Sequence, residues 1–214
     1  MIHFLKQKAQ RMRKNCCFYG ARASWGGKAT AQINFYEEIM DIAEIDKLPV
    51  AERFSKRVIL KVSRIEKVEQ HPGGSFLYIL TLNTGDEERQ IVSSIVEFYK
   101  PEELLGKNIV LVYNLKPANF RGVRSNGMLL AASDPQIKDK ETCEVIFAPQ
   151  FEPGTILEPE GFEPPQEQLC YVKPDKFFEM QLYTKDGFVE LDGKKICAEG
   201  KYLTVETYKN GLVG

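Results

Sequence analysis

Between Ile109 and Ser133 the chain reads IVLVYNLKPANFRGVRSNGMLLAAS, and the loop within this run carries Lys116, Arg121 and Arg124 with no acidic residue. Asn114, Asn119, Ser125 and Asn126 add hydrogen-bonding side chains to the same loop. Gly122 and Gly127 allow tight turns and close backbone approach. A short cationic, amide-rich loop between two apolar, strand-like segments suits phosphate and base contacts better than acid–base chemistry. An arginine guanidinium can pair bidentately with a phosphate, although a cationic loop also serves solubility. Asn114 and Ser125 suit turns that bond their own backbone as well as they suit ligand contact. Met128 suits core packing as well as RNA contact. His71, ahead of Pro72, reads as a turn residue, and Tyr78, Phe98 and Tyr99 can either stack on bases or fill a core.

Signatures of catalysis are missing from the sequence: no Gly-rich phosphate loop, no GxSxG, no HExxH and no convergent His/Asp/Glu group. The chain is therefore expected not to be an enzyme. Five cysteines without a CxxC, and only His3 and His71 as imidazoles, predict no zinc site, no cofactor and a reducing, cytoplasmic setting. No apolar stretch has the length of a membrane span.

Charge is balanced overall, at −1 over 214 residues, but it is segregated. Met1 to Thr30 and Leu104 to Ser133 contain no Asp or Glu, whereas Asp134 to Leu169 is rich in Glu. Such segregation can aim a nearly neutral protein at a polyanion. The basic opening also fits an organelle-targeting peptide, though it is poor in Ser.

Three regions must position the loop. Residues 1–50 hold the basic segment and an amphipathic, helix-like stretch from Ile33 to Ile45, with Tyr36, Ile39, Met40 and Ala43 at helical spacing. Residues 51–135 read as strands: Val58, Leu60 and Val62 alternate in a long first strand, Phe76 to Leu82 form a second, and a third surrounds Gln90 to Ser93. A short helix opens at Pro101 and closes at Gly106, and Ile109 to Tyr113 and Gly127 to Ala132 supply the last two strands. Five strands with a helix between the third and fourth is the pattern of an OB barrel. Residues 136–214 begin with a Pro- and Glu-rich linker and return to strand-like runs at Glu144 to Ala148, Gly187 to Leu191 and Leu203 to Thr207, with a tight turn at Asp192-Gly193. The expected fold class is mainly β: a five-stranded OB barrel with a β-rich C-terminal extension packed on it and a partly helical N-terminal segment.

The run NLKPANFRGVRSNGM (Asn114 to Met128) resembles the tRNA-binding domain appended to bacterial methionyl-tRNA synthetases and found in stand-alone structure-specific tRNA-binding proteins. VSRIEKVEQHPGGSFLY, QIVSSIVEFYK and PEELLGKNIVLV are similar to that family's first strand with its His-Pro turn, its third strand, and its helix with the fourth strand. EVIFAPQFEPGT and FVELDGKKICAEG resemble the C-terminal extension of the endothelial monocyte-activating polypeptide branch. Departures are Gly73, Gly74, Ser75 and Phe76 where an Asp and a Lys are usual, Ser94 in place of a Gly, and Asn119 followed by Phe120 in place of a Lys step.

The resemblance implies an RNA-binding site at Asn114, Lys116, Asn119, Arg121, Arg124, Ser125, Asn126 and Met128. It implies tRNA as partner, with an aminoacyl-tRNA synthetase served in cis or in trans. The HIGH and KMSKS signatures of synthetase chemistry are absent. It also implies an extension that covers the face through which stand-alone barrels dimerise, hence a monomer. A protein-interaction adaptor or cytokine-like module of a multi-synthetase complex, and a C-terminal fragment of methionyl-tRNA synthetase, are the competing expectations.

Overall fold

The computed structural model describes residues 44–137, 141–165 and 170–214. The basic opening segment and all but the last two residues of the expected 33–45 helix lie outside them. In chain order the strands are β1 (Leu60–Gln70), β2 (Tyr78–Asn83), β3 (Glu88–Ser93), β4 (Asn108–Val112), β5 (Ala118–Phe120), β6 (Val123–Ser125), β7 (Met128–Leu129) and β8 (Ala131–Ser133). After them come β9 (Glu144–Val145), β10 (Ile156–Pro159), β11 (Leu182–Lys185), β12 (Phe188–Leu191), β13 (Lys194–Ala198), β14 (Lys201–Tyr202) and β15 (Leu212–Val213). Three short helices, α1 (Val50–Ser55), α2 (Pro101–Leu104) and α3 (Pro174–Phe178), complete the unit Pro49–Gly214, and the protein is mainly β.

Strand β1 organises the sheet. Its far half pairs antiparallel with β2, and its first five residues pair with β4, from Leu60 opposite Val112 to Arg64 opposite Asn108. Register slips between Ile65 and Lys67, a bulge that adds twist and helps the sheet curl. Along the edge shared with β2, before β2 begins, Leu60 and Lys61 pair with Leu157 and Ile156 of β10. The hydrogen-bonded path then runs β10-β13-β12-β11-β15-β8. Because β8 follows β7 directly, and β7 pairs with β4, that path returns to β1. The C-terminal strands thus close a ring through strands that also belong to the first curl.

Two apolar cores follow from this sharing. Alternate side chains of β4 enter different ones: Ile109 and Leu111 join Ile65, Leu80, Leu82, Ile91 and Leu104 in the inner core, while Val110 and Val112 join Leu60, Val62, Leu182, Val189, Leu191 and Ile196 in the outer. A strand buried on both faces reads as a continuous apolar run, and NIVLV is one. The start of β1 is likewise buried on both faces, so Lys61 is nearly inaccessible and is held by Asp86.

Other elements follow local chemistry. Pro101 opens α2, where a missing N–H costs nothing, and the Glu103 carboxylate accepts from the Lys100 N–H at 2.7 Å. The turn Asp192-Gly193 joins β12 to β13 with both φ values positive, as a two-residue hairpin requires. Two expectations change. The second strand begins at Tyr78, leaving Phe76 in the preceding turn, because Gly74 and Leu77 are bonded into that turn. The run Leu203 to Thr207 contributes only a single bridge, Thr204 opposite Phe188.

One buried group opposes the fold. Glu158 on β10 is 3% exposed, and neither carboxylate oxygen has a hydrogen-bond partner. Burial pushes its pKa from the ordinary 4.5 up to about 7, the nearby Ser55 hydroxyl pulling weakly the other way. Between those values the folded chain keeps a proton that the unfolded chain has lost, so stability falls as pH rises through this window and levels off above it. Glu158→Gln is expected to melt like the parent near pH 5 and to be more stable by on the order of 2 kcal/mol near pH 8. Thermal unfolding of both proteins at the two pH values checks this.

Candidate nucleic-acid interface

The expected loop between β4 and β7 is itself a small hairpin. Ala118 pairs with Ser125, Asn119 with Arg124 and Phe120 with Val123. Arg121 (φ 48°) and Gly122 (φ 92°) form the two-residue turn, a geometry matched to strand twist. Gly122 meets nothing that a Cβ would touch, so its need is purely conformational. Gly127 is different: a Cβ there would stand 2.9 Å from Leu111 Cδ1 and 3.0 Å from the Val112 carbonyl oxygen, so only glycine lets this turn lie against β4.

Three sets of hydrogen bonds fasten the hairpin. At its tip, the His71 Nδ1 accepts from the Gly73 N–H at 2.9 Å, which leaves Nε2–H to donate to the Phe120 carbonyl at 2.9 Å. The Arg121 guanidinium donates to the Gly73 carbonyl, so the hairpin and the His-Pro turn are tied twice. Along its side, Gln90 Nε2 donates to the Arg124 carbonyl at 2.8 Å, and the Ser125 hydroxyl accepts from the Val92 N–H at 2.9 Å while donating to the Gly127 carbonyl at 3.0 Å. At its root, the Asn114 amide accepts from the Ile59 N–H at 2.9 Å and donates to the Arg57 and Cys170 carbonyls at 2.8 and 2.9 Å.

These partners sort the predicted residues. Asn114 and Ser125 are interior, 4% and 2% exposed, and their side chains are committed to backbone groups. The structure therefore corrects the direct-contact reading of both: they position the hairpin. Met128 is half-buried against the outer core, opposite Val112. Lys116, Asn119, Arg121 and Arg124 are exposed, and Asn126 is half-buried, its Oδ1 accepting from Arg124 Nε at 2.9 Å. Among the described residues, Lys56, Lys61, Arg64, Lys67, Arg89 and Lys176 all face carboxylates, whereas Lys116, Arg121 and Arg124 face none. Arg121 and Arg124 donate instead to the Gly73 carbonyl and to Asn126 Oδ1.

Arg89 and His71 are structural parts of this region whose contacts no local pattern announced. The Arg89 guanidinium lies 3.5 Å from the centre of the Tyr113 ring and donates to the Tyr113 carbonyl at 2.6 Å, while Glu87 accepts from both Arg89 Nε and the Tyr113 hydroxyl. Burial, with the Glu87 hydrogen bond, pushes the Tyr113 hydroxyl up to about 12, so it stays a neutral donor at ordinary pH. Among the described residues no three His, Cys, Asp or Glu side chains gather as a metal site would need, and no helix is long and apolar enough to cross a membrane.

A curled antiparallel sheet thus holds out a fastened hairpin whose cations face no carboxylate, an arrangement suited to a polyanion. Residues 60–155 match the family described as "Putative tRNA binding domain". The chain is 40% identical to a methionine–tRNA ligase of Treponema denticola over 78% of its own length and 23% of that protein's. A methionine–tRNA ligase of Borrelia hermsii is 39% identical over 75% of this chain and 22% of its own length. The chain thus spans less than a quarter of the curated relatives it matches. The crystal structure of the C-terminal domain of Plasmodium vivax p43 superposes with a TM-score of 0.64 at 26% identity, covering 74% of this chain and 98% of that one. A match of that extent continues beyond residue 155 into the C-terminal strands.

The sorting of side chains is open to direct measurement. Asn114→Ala strands two carbonyls and one N–H inside the protein and is expected to cost about 2–4 kcal/mol in urea unfolding. Asn119→Ala, on the exposed strand opposite Arg124, is expected to change stability by less than about 0.5 kcal/mol.

Proposed function

We propose that this chain binds tRNA without chemistry of its own and raises the tRNA affinity of an aminoacyl-tRNA synthetase, in cis or in trans. The observation that carries this reading is the set of three cations, Lys116, Arg121 and Arg124, unpaired on a rigid hairpin inside the segment that matches the tRNA-binding family. Asn119 and Asn126 add polar contacts beside them, and Met128 flanks the root. Asn114 and Ser125 act by holding the hairpin in place. Fixed donors on a shallow surface suit recognition of RNA backbone and shape more than of sequence. Relatives that carry the matching segment within longer chains named methionine–tRNA ligase favour action in cis, in a cytoplasmic setting.

The chain is proposed to act as a monomer, with the C-terminal strands over the face by which an isolated module would self-associate. Support comes from Val110, Val112, Leu130 and Ala132, whose outward side chains are covered by the outer core. Light scattering is expected to give a monomer for the full chain, and a chain ending after Thr155 is expected to self-associate through the apolar patch so exposed. A full-length dimer would count against the proposal.

Binding itself is tested by titrating tRNA against salt. With about four phosphate contacts, affinity is expected to fall on the order of a hundredfold between about 50 and 200 mM salt. The triple substitution Lys116→Ala, Arg121→Ala, Arg124→Ala is expected to remove about three-quarters of that salt dependence. Salt-insensitive binding, or normal binding by the triple variant, would overturn the assignment of this hairpin.

A further inference from the structure

Two large aromatic side chains stand in solvent on the two loops that His71 joins. Phe76 is 58% exposed in the His-Pro turn, and Phe120 is 40% exposed at the end of β5. Neither belongs to the inner or the outer core. Of the other exposed rings, Phe178 packs edge-on against Phe177 and Tyr202 against Phe188. Tyr171, also without a ring partner among the described residues, precedes Val172, which bridges Leu115 at the root of the hairpin. Among the described residues Phe76 and Phe120 have no ring partner and no cation over their faces.

Their backbones are nevertheless held firmly. The Phe120 carbonyl is the acceptor of the His71 bond, and Arg121, the next residue, donates to Gly73. Gln70 Nε2 reaches the carbonyls of Gly74, Ser75 and Leu77 at 3.1, 3.0 and 3.2 Å, closing the turn around Phe76. Exposed aromatic rings on fixed loops lose little backbone freedom when something covers them, which favours binding. The neighbouring charges say what that is. Arg121 follows Phe120 directly, and Lys116 and Arg124 share its hairpin without carboxylate partners. The ligand must therefore present flat apolar faces and negative charge together. Unpaired nucleotides do so, whereas a base-paired helix buries its base faces and offers phosphates alone.

We infer that Phe76 and Phe120 form a stacking surface for unpaired nucleobases, so that this site takes single-stranded or looped-out nucleotides in preference to paired RNA. The inference rests on the RNA-binding reading of the hairpin and adds the part of the RNA that it takes.

The test uses the full chain and three RNAs of equal phosphate number: a single strand, a perfect duplex and an abasic strand. The unsubstituted protein is expected to bind the single strand at least about tenfold more tightly than the abasic strand. Phe76→Ala with Phe120→Ala is expected to lower single-strand affinity about 10- to 100-fold, to the abasic level, without changing the salt slope, duplex affinity or melting temperature. Phe76→Leu with Phe120→Leu, which keeps apolar bulk without an aromatic face, is expected to lose the preference, and its retention there would overturn the stacking surface even if the alanine pair fails to fold. Equal binding of single and abasic strands by the parent, or full binding by the alanine pair while the three-cation variant loses all three RNAs, overturns the stacking surface and leaves the hairpin as a phosphate site. Undiminished RNA binding by the three-cation variant overturns the site itself. Capture of anionic phospholipid vesicles that depends on the two phenylalanines, with RNA binding unaffected by them, overturns the inference in favour of a membrane contact.

Discussion

The double burial of β1 and β4 is the constraint on which the remaining structure depends. Ile109, Val110, Leu111 and Val112 point alternately into two cores, so neither core can be filled without fixing the other. A slip of one residue between β4 and β1 would exchange the two sets and put side chains chosen for one cavity into the other. Register is therefore specified twice over, and the segment that leaves β4 emerges at a defined place. Asn114 stands at that exit, where its amide joins the connection between α1 and β1 to the backbone at Cys170. The proposed site inherits its position from the core through that side chain.

Rigidity at the hairpin comes mainly from neutral hydrogen bonds, with one charged donor, Arg121, tying the tip to the Gly73 carbonyl. His71, Gln90, Asn114 and Ser125 hold the backbone through carbonyl and N–H groups. The neighbouring Arg89 has the opposite assignment: it is stacked on Tyr113 and neutralised by Glu87. A cation bound to a carboxylate must shed that partner before meeting a phosphate, whereas Lys116 and Arg124 need shed only water or a weak polar contact. This division between supporting and available groups is what a site for a large polyanion needs.

Much of this was legible in the sequence where local rules govern. Pro101 and Gly106 bracketed a helix, Asp192-Gly193 marked a hairpin, and the apolar run from Ile109 marked a strand. The wording from Asn114 to Met128 pointed to the family that residues 60–155 match. What escaped depends on residues far apart in the chain. Asn114 and Ser125 suited turn bonds and ligand contact equally in the sequence, because the partners that decide between them lie on Ile59, Arg57, Cys170 and Val92, which no local window contains. Arg121-Gly122 was a hairpin signal read as an open loop, since three-residue strands are too short to show alternation. Nothing in ILEP foretold that Glu158 would be enclosed, because the enclosure is made by α1 and β13 from opposite ends of the chain.

Arg121 shows where shape and charge pull a position in different directions. Its φ of 48° lies in the left-handed region, where an L side chain is disfavoured by about 1 kcal/mol and where Gly, Asn or Asp is the natural occupant. The equivalent first turn position between β12 and β13 is indeed Asp192. Asn or Gly at position 121 would relieve that strain but would give up the guanidinium's bond to the Gly73 carbonyl. The turn thus accepts local backbone strain in exchange for a tie between the hairpin and the His-Pro turn.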